Sequence, residues 1–181
     1  MTAIRSSATH WSGAHIILVL TMALLWSAPT SEALSEAETL RDACTLLSKA
    51  EVEQLTGSSV LEPVPESSPP TLTCYYGAPG SPLLNNRPLD SLATVTITSG
   101  AEGEYFAGPD AQAKDAFAMI KDGAAEPESV DGIGDDAFWD ATFKSLHVLR
   151  GKFVIDITVS SETAGLETGK AIAQIVVGRL P

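Results

Sequence analysis

An α+β fold is predicted for this 181-residue chain: an antiparallel sheet of about five strands with two to three helices packed mainly on one face. Three observations predict it. Helix and strand signals follow the order helix, strand, strand, helix, three strands, helix. The strand segments alternate apolar with polar residues, as strands with one covered face do. The helical segments carry capping residues and apolar spacings of three and four.

Before the first helix, Met1 to Ala33 reads as a secretory signal and not as part of the fold. Arg5 supplies the positive charge of its n-region, Ile16 to Trp26 (IILVLTMALLW) the apolar core, and Ser31 with Ala33 the small residues that a signal peptidase reads. Cleavage after Ala33 is expected, with Ala37 as the second candidate. The apolar run is shorter than the ~20 residues that span a bilayer. Residues 34–181 are therefore expected to form a single exported domain, secreted or periplasmic.

The first helix is announced by Ser48 and Glu51, a capping box, with Leu47 and Val52 placed as a hydrophobic staple. Gly57 supplies the left-handed residue that ends such a helix. Between 58 and 71, Pro63, Pro65, Pro69 and Pro70 exclude a helix and leave a surface connection with at most one short strand. Thr71 to Gly77 (TLTCYYG) is rich in β-formers. Turn residues dominate from Ala78 to Leu89 (APGSPLLNNRPL), and Ala93 to Thr98 (ATVTIT) returns to strand alternation.

A second helix begins near Asp110 behind Pro109, spaces Ala113, Ala116, Phe117 and Ile120 along one side, and closes at Gly123. After an acidic loop, Ala137 to Trp139 form a strand that leads into a hairpin. Placing Arg150 and Gly151 in a two-residue turn sets Leu149 against Lys152, Val148 against Phe153, Leu146 against Ile155 and Lys144 against Ile157. That register gathers Leu146, Val148, Phe153, Ile155 and Ile157 on one buried face. The last helix is expected from about Thr163 to Val177, where Gly165 and Gly169 weaken it but permit close approach to a sheet.

Composition narrows the functions. The net charge of −12 repels phosphate backbones and anionic lipids, which argues against nucleic acid and membrane surfaces as partners. The membrane is expected to be touched at most by an uncleaved signal helix. Cys44 and Cys74 are the only two cysteines, and in an oxidising compartment they are expected to form one disulfide. No CxxC spacing suggests redox chemistry.

His147 is the only histidine outside the signal segment. In the hairpin register above it shares a face with Ser145 and lies diagonal to Asp156, which faces Ser145. These three make the sharpest catalytic hypothesis, a small hydrolase. Against it, polar side chains alternate on any half-exposed sheet, and no Gly-rich nucleophile elbow surrounds Ser145. A zinc site lacks ligands. Asp131, Asp135 and Asp136, with Asp140 beyond, suggest a calcium loop, but their spacing lacks the Asp/Asn ladder and distal Glu of a calcium-binding loop. Gly132 and Gly134 favour the competing reading, a turn that feeds a strand. No cofactor is expected.

The segment DACTLLSKAEVEQLTG, from Asp42 to Gly57, the Cys74-Tyr75 pair, and the late GIGDDAFW followed by LHVLRGKFVIDITV resemble a domain-of-unknown-function family. Its members are small exported proteins and lipoproteins abundant in actinobacteria. The resemblance implies export and no established activity or catalytic residues. This chain lacks the lipid-attachment cysteine that many members carry. Together these readings predict an exported, non-enzymatic module that binds a protein, peptide or envelope component. Aromatic strand ends beside the loop at 78–89 suggest a recognition edge, with Tyr76 and Trp139 as the binding candidates.

Overall fold

The computed structural model describes residues 40–100, 108–160 and 165–181. The expected signal segment, and Thr163 as the start of the last helix, lie outside them. Helix α1, Lys49–Thr56, starts as its sequence dictates: the Glu51 amide donates to Ser48 Oγ and the Ser48 amide donates to Glu51 Oε2 at 2.8 Å. Gly57 ends it with φ of 68°. Leu47 and Val52, the two halves of the staple, are both fully buried.

Among the described residues nine strands follow in chain order. Seven of them, β1 (Val64–Ser68), β2 (Thr71–Gly77), β5 (Ser91–Ser99), β6 (Pro127–Ser129), β7 (Asp136–Asp140), β8 (Ser145–Arg150) and β9 (Phe153–Val159), form one antiparallel sheet. Its order is β1-β2-β5-β9-β8-β7-β6. The remaining two, β3 (Leu83–Leu84) and β4 (Arg87–Pro88), make a small hairpin of their own inside the turn-rich loop. The sheet thus has more strands than the about five expected. The additions are its two margins, and each carries a proline: Pro65 opposite Cys74 and Pro127 opposite Asp140. Proline has no N–H to donate to a ladder, so it argues against a strand in sequence reading yet is tolerated at an edge.

The strands sort their side chains onto two faces. On the first, Val95, Ile97, Leu146, Val148, Ile155 and Ile157 are fully buried beneath α1 and helix α3, Leu166–Arg179. Each such side chain stabilises the fold by about 1.5–3 kcal/mol relative to exposure. Gly169 of α3 lies against the sheet, where a Cβ would stand 3.5 Å from Leu146 and 3.6 Å from Trp139. The Cys44–Cys74 disulfide, with Cα atoms 5.0 Å apart, joins a single 3₁₀ turn (Ala43–Thr45) to β2. In the same layer, Arg179 grips Glu51 through two hydrogen bonds of 2.6 and 2.9 Å and donates to the carbonyl of Leu46, which follows the 3₁₀ turn.

Helix α2, Pro109–Gly123, covers part of the opposite face. Ala113 and Phe117 pack there on Phe138, Leu149 and Val154. Of the three helices among the described residues, two therefore share a face, and the third sits across the sheet. Among the described residues no helix is long and apolar enough to cross a membrane.

The hairpin keeps the expected buried set but not the expected pairing. Gly151, at φ of 52°, takes the first of the two turn positions and Lys152 the second, so Arg150 faces Phe153. A left-handed glycine at the first position is the type II′ preference, whereas the sequence reading had placed glycine second. The register moves by two residues, which preserves every side chain's face. Leu146 now opposes Ile157, His147 opposes Asp156 and Ser145 opposes Thr158.

Candidate functional site

Beyond the edge of α2, the second face becomes polar. Its residues come from the same strands that bury Val95 and Ile155 on the other side, because successive side chains point to opposite faces. Thr71 pairs with Thr98 at 3.1 Å and Thr73 with Thr96 at 3.2 Å, hydroxyl to hydroxyl across strands β2 and β5. The next row holds Tyr75, Thr94 and Thr158, side by side on β2, β5 and β9.

That row floors a groove of about 710 Å³. Val64, Pro65 and Glu66 of β1 form one wall and the β3–β4 hairpin forms the other. The hairpin turn, Asn85 and Asn86, has φ of 51° and 64°, the two left-handed positions of a type I′ connection. Gly77 lets the hairpin close onto the sheet, since a Cβ there would stand 2.7 Å from Pro88.

Three side chains lock the groove's charge. Tyr75 Oη donates to Glu66 Oε2 at 2.7 Å, and Arg87 Nη1 donates to both Glu66 oxygens at 2.9 and 3.1 Å. The guanidinium also lies over the Tyr75 ring, 5.2 Å from its centroid, where the ring's negative face attracts it. The Tyr75 phenol, and then Arg87, hold the Glu66 carboxyl below its ordinary range. Partial burial, then the Glu66 charge, pushes the Tyr75 phenol up.

One row away, His147 Nδ1 meets Asp156 Oδ1 at 2.5 Å. The imidazole stacks on Phe138 with centroids 4.6 Å apart, and Phe117 meets Phe138 edge-on at 5.4 Å. So the structure joins His147 to Asp156. It does not join Ser145 to either: the Ser145 hydroxyl pairs with Thr158 Oγ1 at 2.9 Å and lies 3.2 Å from the Phe143 carbonyl.

The acidic residues go to separate duties. Asp135 accepts from the Gly151 amide at 2.6 Å and from Arg150 at 3.1 Å, and these two donors, the amide first, lower its carboxyl pKa. Asp136 pairs with Lys121, Asp140 accepts from the Thr142 and Phe143 amides, and Asp131 is exposed. Gly132 and Gly134 both have positive φ, and a Cβ on Gly134 would stand 2.4 Å from the Leu149 carbonyl oxygen. The segment is a turn latched to the β8–β9 hairpin as it feeds β7. Among the described residues no three His, Cys, Asp or Glu side chains converge as a metal would require.

Tyr76 and Trp139, the binding candidates of the sequence, both lie in the first-face core. Tyr76 is fully buried, its phenol donates to the Leu47 carbonyl at 2.5 Å, and burial pushes its pKa up. Trp139 is 8% exposed against α3, and Phe138 is fully buried because α2 covers the side it faces. Tyr76 has no surface to offer a ligand and Trp139 very little. The aromatic residue at the groove is Tyr75, one position away, and the signal for it was strand parity: Cys74 and Tyr76 flank it, and the disulfide points Cys74 inward. No family model, curated protein or solved structure matches the chain.

Proposed function

We propose that this protein is an exported, non-enzymatic binding module that takes a protein, peptide or envelope component into the groove beneath the β3–β4 hairpin. The observation that carries this reading is the groove itself. Its volume lies within the range of small-molecule and peptide sites, and Glu66, Tyr75 and Arg87 are already fixed to one another within it. Side chains held before a ligand arrives lose less entropy on binding. The Cys44–Cys74 disulfide supports export, since such bonds persist in oxidising compartments. The signal-like segment and the resemblance to exported actinobacterial proteins support it from the sequence side.

A hydrolase built on Ser145, His147 and Asp156 is the alternative, supported by the 2.5 Å His147–Asp156 contact. Weighing against it, the Ser145 hydroxyl is engaged with Thr158 rather than with His147, and a nucleophile needs its base within hydrogen-bond reach. A hydrolase activity abolished by His147→Ala would favour the alternative.

The binding reading is tested by recovering partners from the native envelope and secretome with the oxidised chain and with Arg87→Ala in parallel. Specific recovery by the wild type that the variant loses is expected. Recovery of nothing specific at physiological salt, or of the same set by both, would overturn it.

A further inference from the structure

The groove's lining narrows the chemistry of its ligand, an inference that rests on the binding reading above. Among the described residues its only charged members are Glu66 and Arg87, and they neutralise each other at 2.9 Å. With a chain charge of −12 around it, the groove has no surplus positive charge to hold an anion. An extended peptide added to the sheet would need a free ladder, but the adjoining margin, β1, carries Pro65, and Pro63 stands just before the strand. Proline at a margin removes donors that strand addition uses. A lipid chain is disfavoured as well, because the hydroxyls of Ser91, Thr94 and Thr158 and the amides of Asn85 and Asn86 line the same space. Covering such groups without hydrogen bonds costs about 1–3 kcal/mol each.

A neutral polyhydroxyl ligand meets all three conditions. Each sugar hydroxyl both donates and accepts, as do the Ser91 and Thr94 hydroxyls, the Tyr75 and Thr158 oxygens can accept beside their existing partners, and each Asn amide presents a donor and an acceptor side by side. The carbon-bound face of a sugar ring finds Leu84 and Leu89 on the hairpin wall. The turn itself points the same way. A type I′ connection favours glycine at its second position, yet Asn86 stands there at φ of 64°. The second turn position therefore adds a side-chain amide to the lining of the groove.

We propose that the groove is a saccharide-binding site for a neutral glycan segment of the envelope, with Asn85, Asn86 and Arg87 as its hydrogen-bonding wall and Tyr75, Thr94 and Thr158 as its floor. Asn86→Gly is the discriminating variant, because it suits the turn and keeps the fold while removing an amide from the wall. The test is an amide and side-chain NMR titration of the oxidised chain with chitotetraose, maltotetraose and a mannan tetrasaccharide, beside an uncharged extended peptide. Saturable shifts at the Asn85 and Asn86 side-chain amides with at least one saccharide are expected, weakened about tenfold in Asn86→Gly, the effect of a lost hydrogen bond. No saturable shift with any of the saccharides overturns the proposal, and so does unchanged affinity in a folded Asn86→Gly. Groove shifts with the peptide alone overturn the saccharide assignment while leaving the binding module intact.

Discussion

On one side of the sheet Val95, Ile97, Ile155 and Ile157 are fully buried. Their strand neighbours Thr94, Thr96, Asp156 and Thr158 point the other way and keep contact with solvent. The first side is closed by α1, α3 and a disulfide, whereas the second is covered by α2 only over Phe138, Leu149 and Val154. Stability is concentrated where apolar area is buried, and the open side contributes mainly hydroxyl pairs whose net worth is modest. A surface that the fold does not depend on is free to be shaped for recognition.

The sharpest way to break that contrast is to cut one residue from each side of adjacent strands. Ile155→Ala is expected to cost about 4 kcal/mol, within the usual range for a buried isoleucine, while Thr96→Ala on the open side costs about 1 kcal/mol or less. Urea unfolding monitored by circular dichroism reads both, and equal losses would show that the two sides share the burden. Replacing Cys44 and Cys74 by serine removes a staple that spans 30 positions and is expected to cost roughly 3 to 4 kcal/mol on the chain-entropy account. A change within error would place the stability of this side in packing alone.

A smaller effect carries a pH signature. Arg179, then the Ser48 cap, lowers the Glu51 carboxyl from 4.5 to about 2. A carboxyl depressed in the folded state stabilises the fold above its unfolded value, and that contribution disappears as the pH falls towards the folded one. Glu51→Gln should therefore be less stable than the wild type by about 1 kcal/mol at neutral pH, with the gap closing between about pH 5 and about pH 2. A gap that stays constant across this window would remove the ion pair from the account. The smallest effect has the opposite sign. Gly169→Ala puts a methyl in ordinary contact with Leu146 and Trp139 and should raise stability by about 0.5–1 kcal/mol through helix propensity; thermal unfolding would detect it.

Legibility in the sequence followed the range of the forces involved. The α1 boundaries were readable because Ser48, Glu51 and Gly57 act within one turn of each other. Strand β2 was readable from a run of β-formers, and the buried set of the β8–β9 hairpin from its alternation. The hairpin's pairing was not, because Gly151 suits either turn position and only tertiary packing decides between them. Prolines left β1 as no more than an optional short strand and concealed β6, for the reason that confines them to margins. The candidate site was partly visible: the loop at 78–89, expected as a recognition edge, contributes the hairpin that lines the groove, and the aromatic residue lining it is Tyr75 and not the expected Tyr76. Which face α2 covers is set by contacts distant in the chain, so nothing local could reveal that Phe138 would be buried beside a buried Trp139.

The prolines at the margins have a further consequence for the protein at high concentration. An exposed strand edge is a template on which another copy can add, and repeated addition makes a filament. Here the sheet ends in Pro65 on one side and in Pro127, flanked by Glu126 and Glu128, on the other. Both described ends of the ladder carry residues that disfavour strand addition, so copies crowded together meet no inviting edge on which to polymerise.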